Sequence, residues 1–213
     1  PIVEKAVRKE LEKPEGELTE ADLEKVTRLD LAHKQLTDVP KGLEKLTQLK
    51  VLYLSGNQLT DVKGLEKLTH LFLGEGNQLT NVKGLEKLTQ LKVLDLNSNQ
   101  LTDVKGLEKL TKLTALHLND NKLTEVKGLE KLTKLFFLDL RKNQLTEVKG
   151  LGKLTQLTYL RFGGNQLTEV PKVLEKLTKL KELSLENNPA LTKAQIDELQ
   201  KALPKCRIKH NAK

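Results

Sequence analysis

The chain has no tryptophan, no methionine, a single cysteine and only 3% aromatic residues across 213 positions. Its core must therefore be assembled from smaller aliphatic side chains, and the one that recurs throughout is leucine. The lone Cys206 excludes an internal disulfide framework and a cysteine-based metal site. Near the C-terminal edge it reads as a small apolar packing residue. Apolar runs are only a few residues long, so no segment spans a membrane. No secretory leader is visible at Pro1, although a mature chain would have lost one. Nucleophile elbows, glycine-rich phosphate loops and paired-carboxylate pockets are also missing, so no enzymatic activity is expected.

The net charge of +8 at first suggests nucleic acid. Its distribution argues otherwise. Each Val-Lys-Gly-Leu-Glu-Lys-Leu stretch carries two lysines and one glutamate, for example Lys105, Glu108 and Lys109. The excess accrues at about one charge per repeat on a face expected to be solvated, without interleaved aromatics. No nucleic-acid partner is expected, and no cofactor.

What is present is a repeat. Residues 26–188 contain eight copies of one unit, which runs in full from Leu91-Lys-Val-Leu94-Asp-Leu96 through Asn99 and Leu101 to Val104, Gly106, Leu107 and Leu110. Leu94 and Leu96 lie on one side of a short strand, with position 95 opposite, and Asn99 falls at a turn. Gly106 lets the return path bend tightly. One unit cannot bury its leucines alone, whereas stacked units bury them against one another.

The spacing Leu-x-x-Leu-x-Leu-x-x-Asn-x-Leu is that of leucine-rich repeats. The roughly 22-residue period and the Val-x-x-Leu-x-x-Leu return resemble the internalin-like class of bacterial repeat proteins. That resemblance implies an α/β fold: a right-handed leucine-rich-repeat solenoid, or horseshoe. It would carry a parallel concave β-sheet, short turns or 3-10 segments on the convex side, and helical N- and C-terminal caps. It also implies that the column Asn57, Asn99, Asn121, Asn143, Asn165 and Asn188 hydrogen-bonds backbone in the turns. The end segments are similar to those of secreted bacterial repeat proteins, which implies a secreted or cell-surface location.

The chain divides into a helical cap over 1–25, eight repeats over 26–188 and a helical cap and tail over 189–213, as one continuous domain. Ile2, Val3, Ala6, Val7 and Leu11 share a helical face, which Pro14 and Gly16 terminate. Thr19 with Asp22 opens a second short helix, and Thr192 with Gln195 forms a capping box for a third. Cys206-Arg207-Ile208 follows as a possible edge strand. The third unit is irregular: Leu68-Thr69-His70-Leu71 has lost three residues, and Gly74-Glu75-Gly76-Asn77 holds one extra. This damage argues against an idealised design, although an engineered binding scaffold would give a similar pattern.

Against this constant frame, three strand-face columns vary. The central one reads Asp30, Tyr53, Phe72, Asp95, His117, Asp139, Arg161 and Ser184. The column two positions earlier reads Arg28, Val51, a gap in the third unit, Val93, Ala115, Phe137, Tyr159 and Glu182. The column two positions later includes Asn97 and Arg141. Aromatics in strands can simply reflect strand propensity. Clustered with Arg, Asp and His on one rigid face, they match the composition of protein-binding surfaces. Tyr53, Phe72, Val93, Asp95, His117, Phe137, Asp139, Arg141, Tyr159 and Arg161 are accordingly the candidate partner-binding residues. The expected ligand is a protein or peptide on the concave face of a monomer.

The row Asp95, His117, Asp139 and Arg161 could be a carboxylate–imidazole metal site or a cross-strand charge ladder. A flat row with one histidine suits the ladder. The threonine column, including Thr60, Thr102, Thr124, Thr146 and Thr168, offers a structural or surface-adsorbing alternative. Local backbone hydrogen bonds are the expected use of those hydroxyls.

Overall fold

In the computed structural model, which describes residues 1–213, the leucine spacing becomes nine three-residue strands: β1 Arg28–Asp30, β2 Val51–Tyr53, β3 His70–Phe72, β4 Val93–Asp95, β5 Ala115–His117, β6 Phe137–Asp139, β7 Tyr159–Arg161, β8 Glu182–Ser184 and β9 Arg207–Lys209. They form one parallel sheet in chain order. Equivalent residues are paired in register throughout, as in Leu94↔Leu116 and Asp95↔His117. The middle leucine of each strand from β1 to β8 is buried, while its two neighbours turn to the opposite face.

The return paths carry 3-10 turns at Leu43–Lys45, Leu85–Lys87, Leu107–Lys109, Leu129–Lys131, Leu151–Lys153 and Lys172–Lys176. Strands sit at hydrogen-bond spacing, about 4.8 Å, whereas the returns are held apart by side chains. The stack therefore curves with the sheet on its inner, concave side. Between the two layers lies a single core of 55 buried residues that runs from Val3 to Cys206.

Two buried devices hold the coils together. The amide of Asn121 donates to the carbonyls of Leu96 and Leu118 at 2.9 and 3.1 Å, while its Oδ1 accepts from the backbone N–H of Leu101 at 3.0 Å. The asparagine column thus stitches each coil to the one before, as the family resemblance implied, and Asn77 belongs to it as well. On the convex side the repeated glutamate has a local task. Glu108 Oε2 accepts from Gly106 N–H at 2.6 Å, and Glu44, Glu86 and Glu130 do the same for their glycines. Hydrogen bonds from its own backbone N–H and from that of Gly106 hold the Glu108 carboxyl below the usual carboxylate range.

The third unit departs from the sequence expectation. His70 pairs with both Val51 and Val93, so it fills the strand position assigned above to a gap. Ordinary units close the return with two successive turns, Leu110 N–H to Leu107 C=O and Leu113 N–H to Leu110 C=O. The return between β2 and β3 makes only one, Leu68 N–H to Leu65 C=O at 3.1 Å, and has no 3-10 segment. The missing three residues are therefore the 3-10 turn itself, and the strand register is spared. A shallow convex groove of about 200 Å³ marks the loss, lined by residues that include Leu43, Leu46, Leu49, Leu65 and Leu68.

Helices α1 (Ile2–Glu10), α2 (Glu20–Leu23) and α3 (Lys193–Ala202) close the ends. Both capping boxes are formed, Thr19 with Asp22 and Thr192 with Gln195. Cys206 is buried beneath the last coil, and burial pushes its thiol up to about 11.

Candidate binding face

All ten residues singled out from the sequence lie on the sheet face away from the core. Val93, Phe137 and Tyr159 are first residues of their strands; Tyr53, Phe72, Asp95, His117, Asp139 and Arg161 are last residues; Arg141 follows β6. Because neighbouring strands are in register, like positions form rows across the sheet.

The structure sorts them into two aromatic platforms. At the N-terminal end Tyr53 and Phe72 are stacked, with ring centroids 4.7 Å apart and planes at 7°. The Arg28 guanidinium lies 5.5 Å from the Tyr53 ring centre. Further along, the His117 ring lies 4.6 Å from that of Phe137, and Phe137 lies 6.4 Å from Tyr159. Arg161 covers Phe137 at 5.2 Å. Guanidinium over a ring face is an electrostatic attraction of about 0.5–1 kcal/mol when exposed. Each contact favours the observed ring orientation in the free protein.

The charges are only partly a ladder. Asp139 is 1% exposed, so it offers a partner almost no surface of its own. Its carboxylate accepts from Nε and Nη2 of Arg141, at 2.9 and 2.6 Å, and lies 3.8 Å from Arg161. From there, alternation continues through Glu182, 3.9 Å from Arg161, to Lys209, 3.0 Å from Glu182. The other half of the row is different: His117 lies against Phe137 at an interplanar angle of 32°, and Asp95 makes no ion pair. Burial raises the Asp95 carboxyl above the usual range, against a backbone hydrogen bond from Asn97.

Within the strand-face columns the charges balance: Arg28, Arg141, Arg161, Arg207 and Lys209 face Asp30, Asp95, Asp139, Glu182 and Glu186. The chain's positive excess lies outside those columns, the exposed Lys50, Lys92 and Lys181 just before their strands included. Two residues belong beside the candidates although the sequence argument did not select them. His70 completes the first column. Phe136, 46% exposed, replaces the threonine or lysine found just before most strands, and that substitution was its only signal. Tyr159, at 36%, is the other large exposed apolar side chain. The threonines at 60, 102, 124, 146 and 168 are exposed, so their hydroxyls face water instead of closing the turns.

A stack of parallel three-residue strands, asparagine-laced and capped at both ends, defines the class as a leucine-rich-repeat solenoid. Comparisons with known proteins agree. A model described as leucine-rich repeats in two copies matches residues 24–67, 66–109 and 155–201, and a further leucine-rich-repeat model matches 89–145. The crystal structure of internalin C2 from Listeria monocytogenes superposes with a TM-score of 0.88 at 30% identity, over 99% of this chain and 93% of that one. A leucine-rich-repeat protein of Leptospira interrogans gives 0.75 at 34% identity; it covers 88% of this chain, which spans 55% of the Leptospira protein. TLR13, solved in a TLR13–ssRNA13 complex, gives 0.72 at 25% identity over 89% of this chain and 29% of its own. No curated protein matches the chain. The chain belongs to the leucine-rich-repeat family and is internalin-like.

Proposed function

We propose that this chain is a non-enzymatic scaffold that binds a protein or peptide on the concave face of its sheet. The carrying observation is the pair of aromatic–arginine platforms on a rigid face, in a chain otherwise almost free of aromatics. Tyr53, Phe72, Phe137 and Tyr159 supply ring surface, and Arg141 and Arg161 supply directed charge. Val93 and Asp95, on β4, lie between the platforms, and His117 forms the near edge of the second. Asp139 serves indirectly, by fixing the Arg141 fork. Nine strands give a face about 38 Å long, enough for a standard interface of roughly 800 Å² per partner.

Charge balance favours protein over nucleic acid on this face, because phosphate contacts need a net basic surface. Its openness disfavours catalysis, which needs excluded water. Likeness to internalin C2 supports a secreted or cell-surface bacterial setting, and edge strands of only three residues, β1 and the basic β9, support a monomer.

The test compares capture from host-cell and bacterial extracts by three forms: wild type, a Tyr53→Ala/Phe72→Ala/Phe137→Ala/Tyr159→Ala variant, and a convex Lys109→Ala/Lys131→Ala variant. A protein retained by wild type and the convex variant but lost by the aromatic variant supports the proposal. Loss confined to the convex variant would refute it.

A further inference from the structure

The two platforms leave a slot between them, and its floor is Asp95. In the in-register row, Asp95 sits between Phe72 on β3 and His117 on β5. These neighbours are two strand spacings apart, about 9.6 Å, which leaves a width suited to one aliphatic stem. One face of Phe72 is covered by Tyr53, and one face of His117 by Phe137. The free face of each ring is the one turned toward the Asp95 strand. Ring faces carry negative potential.

The carboxylate on the floor of the slot is short of donors. Asp95 is half-buried, and its Oδ1 accepts only the backbone N–H of Asn97, at 2.9 Å. Oδ1 of Asn97, two residues along, is buried and accepts no hydrogen bond at all. The charged groups that act on Asp95 are Glu75 and Asp139, both acidic, and the imidazole of His117. Elsewhere on the face the half-buried or buried carboxylates have partners. Asp139 pairs with Arg141, Glu182 with Lys209, and Glu186 bonds to the Ser184 hydroxyl. Asp30 is unpaired but exposed, so water solvates it. A desolvated acceptor without a donor is costly, and a donor supplied by a ligand removes that cost.

We infer that the slot over Asp95 receives a basic side chain, lysine or arginine, projecting from the bound protein, with its stem between Phe72 and His117 and its charge on the Asp95 carboxylate. This inference rests on the concave-face proposal and deepens it by naming a chemical feature of the partner. The site would set register, because it is the one cation-accepting position between two apolar platforms.

The probe is n-butylammonium, which reproduces a lysine side chain, with n-butanol as its neutral counterpart. Titrations are followed by NMR at the Asp95 carboxyl carbon, the Asn97 side-chain amide and the Phe72 and His117 rings. The expected result is a saturable shift at these groups with butylammonium and not with butanol. Binding should be weakened about tenfold or more in Asp95→Asn and unchanged in Asp30→Asn. The backbone spectrum of each variant reports its fold. No saturable shift at Asp95, or equal shifts at Asp95 and Asp30, would overturn the inference. If the aromatic variant still abolishes partner capture in that case, the slot fails and the concave-face proposal stands.

Discussion

At Asn121 one side-chain amide bonds three backbone groups from two successive coils, all inside the core. Removing it strands the Leu101 N–H, while the Leu96 and Leu118 carbonyls each keep one amide donor, from Asn99 and Asn143. Asn121→Ala should therefore cost about 1–3 kcal/mol, because one desolvated N–H is stranded and two carbonyls each lose one of their two amide donors. Urea unfolding checks this, and a loss near zero would show that water replaces the amide. Asp95 behaves in the opposite sense. Burial raises its folded-state carboxyl above the unfolded value, so wild type is at its most stable, relative to a neutral residue, below the ordinary carboxylate range. That advantage is lost as pH rises through the raised midpoint. Asp95→Asn should then be the more stable protein at pH 7, with the gap closing on acidification. A constant gap across the titration would mean that ionisation of Asp95 is not its cause.

Elements are shaped by close approach on the convex side. Gly84 adopts φ +92°, and a Cβ there would collide with the Val62 carbonyl oxygen, because the shortened second return runs close beneath it. Gly106 has a similar φ of +112°, but its Cβ would find nothing nearer than 3.6 Å. Gly106→Ala should cost about 1–2 kcal/mol from backbone strain alone, and Gly84→Ala measurably more. Thermal melts of the pair separate strain from collision; equal losses would contradict the tight packing at the damaged unit. The leucine and asparagine spacing made the strands and turns legible in advance. It did not locate His70, because the three-residue deletion just before the strand leaves its alignment open, and only the register resolves it. Nor did it distinguish a solvated glutamate from one folded back on Gly106, since both read as a charged residue on an outer face.

Across the whole molecule, the core is continuous from α1 to β9, so the end caps and the repeats share one apolar interior. Cys206 lies within it, shielded and with its thiol held protonated. A thiol reagent at neutral pH should modify it only as fast as the C-terminal coil opens, and mild denaturant should accelerate the reaction. Rapid modification of the native protein would show that the last coil is not packed as described. The candidate face was legible as a set of columns, because strand alternation assigns each residue a side. What the columns could not give was the sorting of that face: Asp139 buried under Arg141, a charge chain confined to β6–β9, and Asp95 left alone between two ring clusters. Those follow from side-chain conformations that no spacing encodes.

The central claim is that the concave face carries the binding energy. An alanine scan of affinity for the captured partner tests it most directly, with Tyr53, Phe72, Phe137, Tyr159, Arg161 and the convex Lys109 each replaced in turn. Two or more of the concave replacements should weaken binding by about 2 kcal/mol or more, while Lys109→Ala stays within about 0.5 kcal/mol of wild type. Undiminished affinity in every concave variant, with a loss at Lys109, would contradict the account.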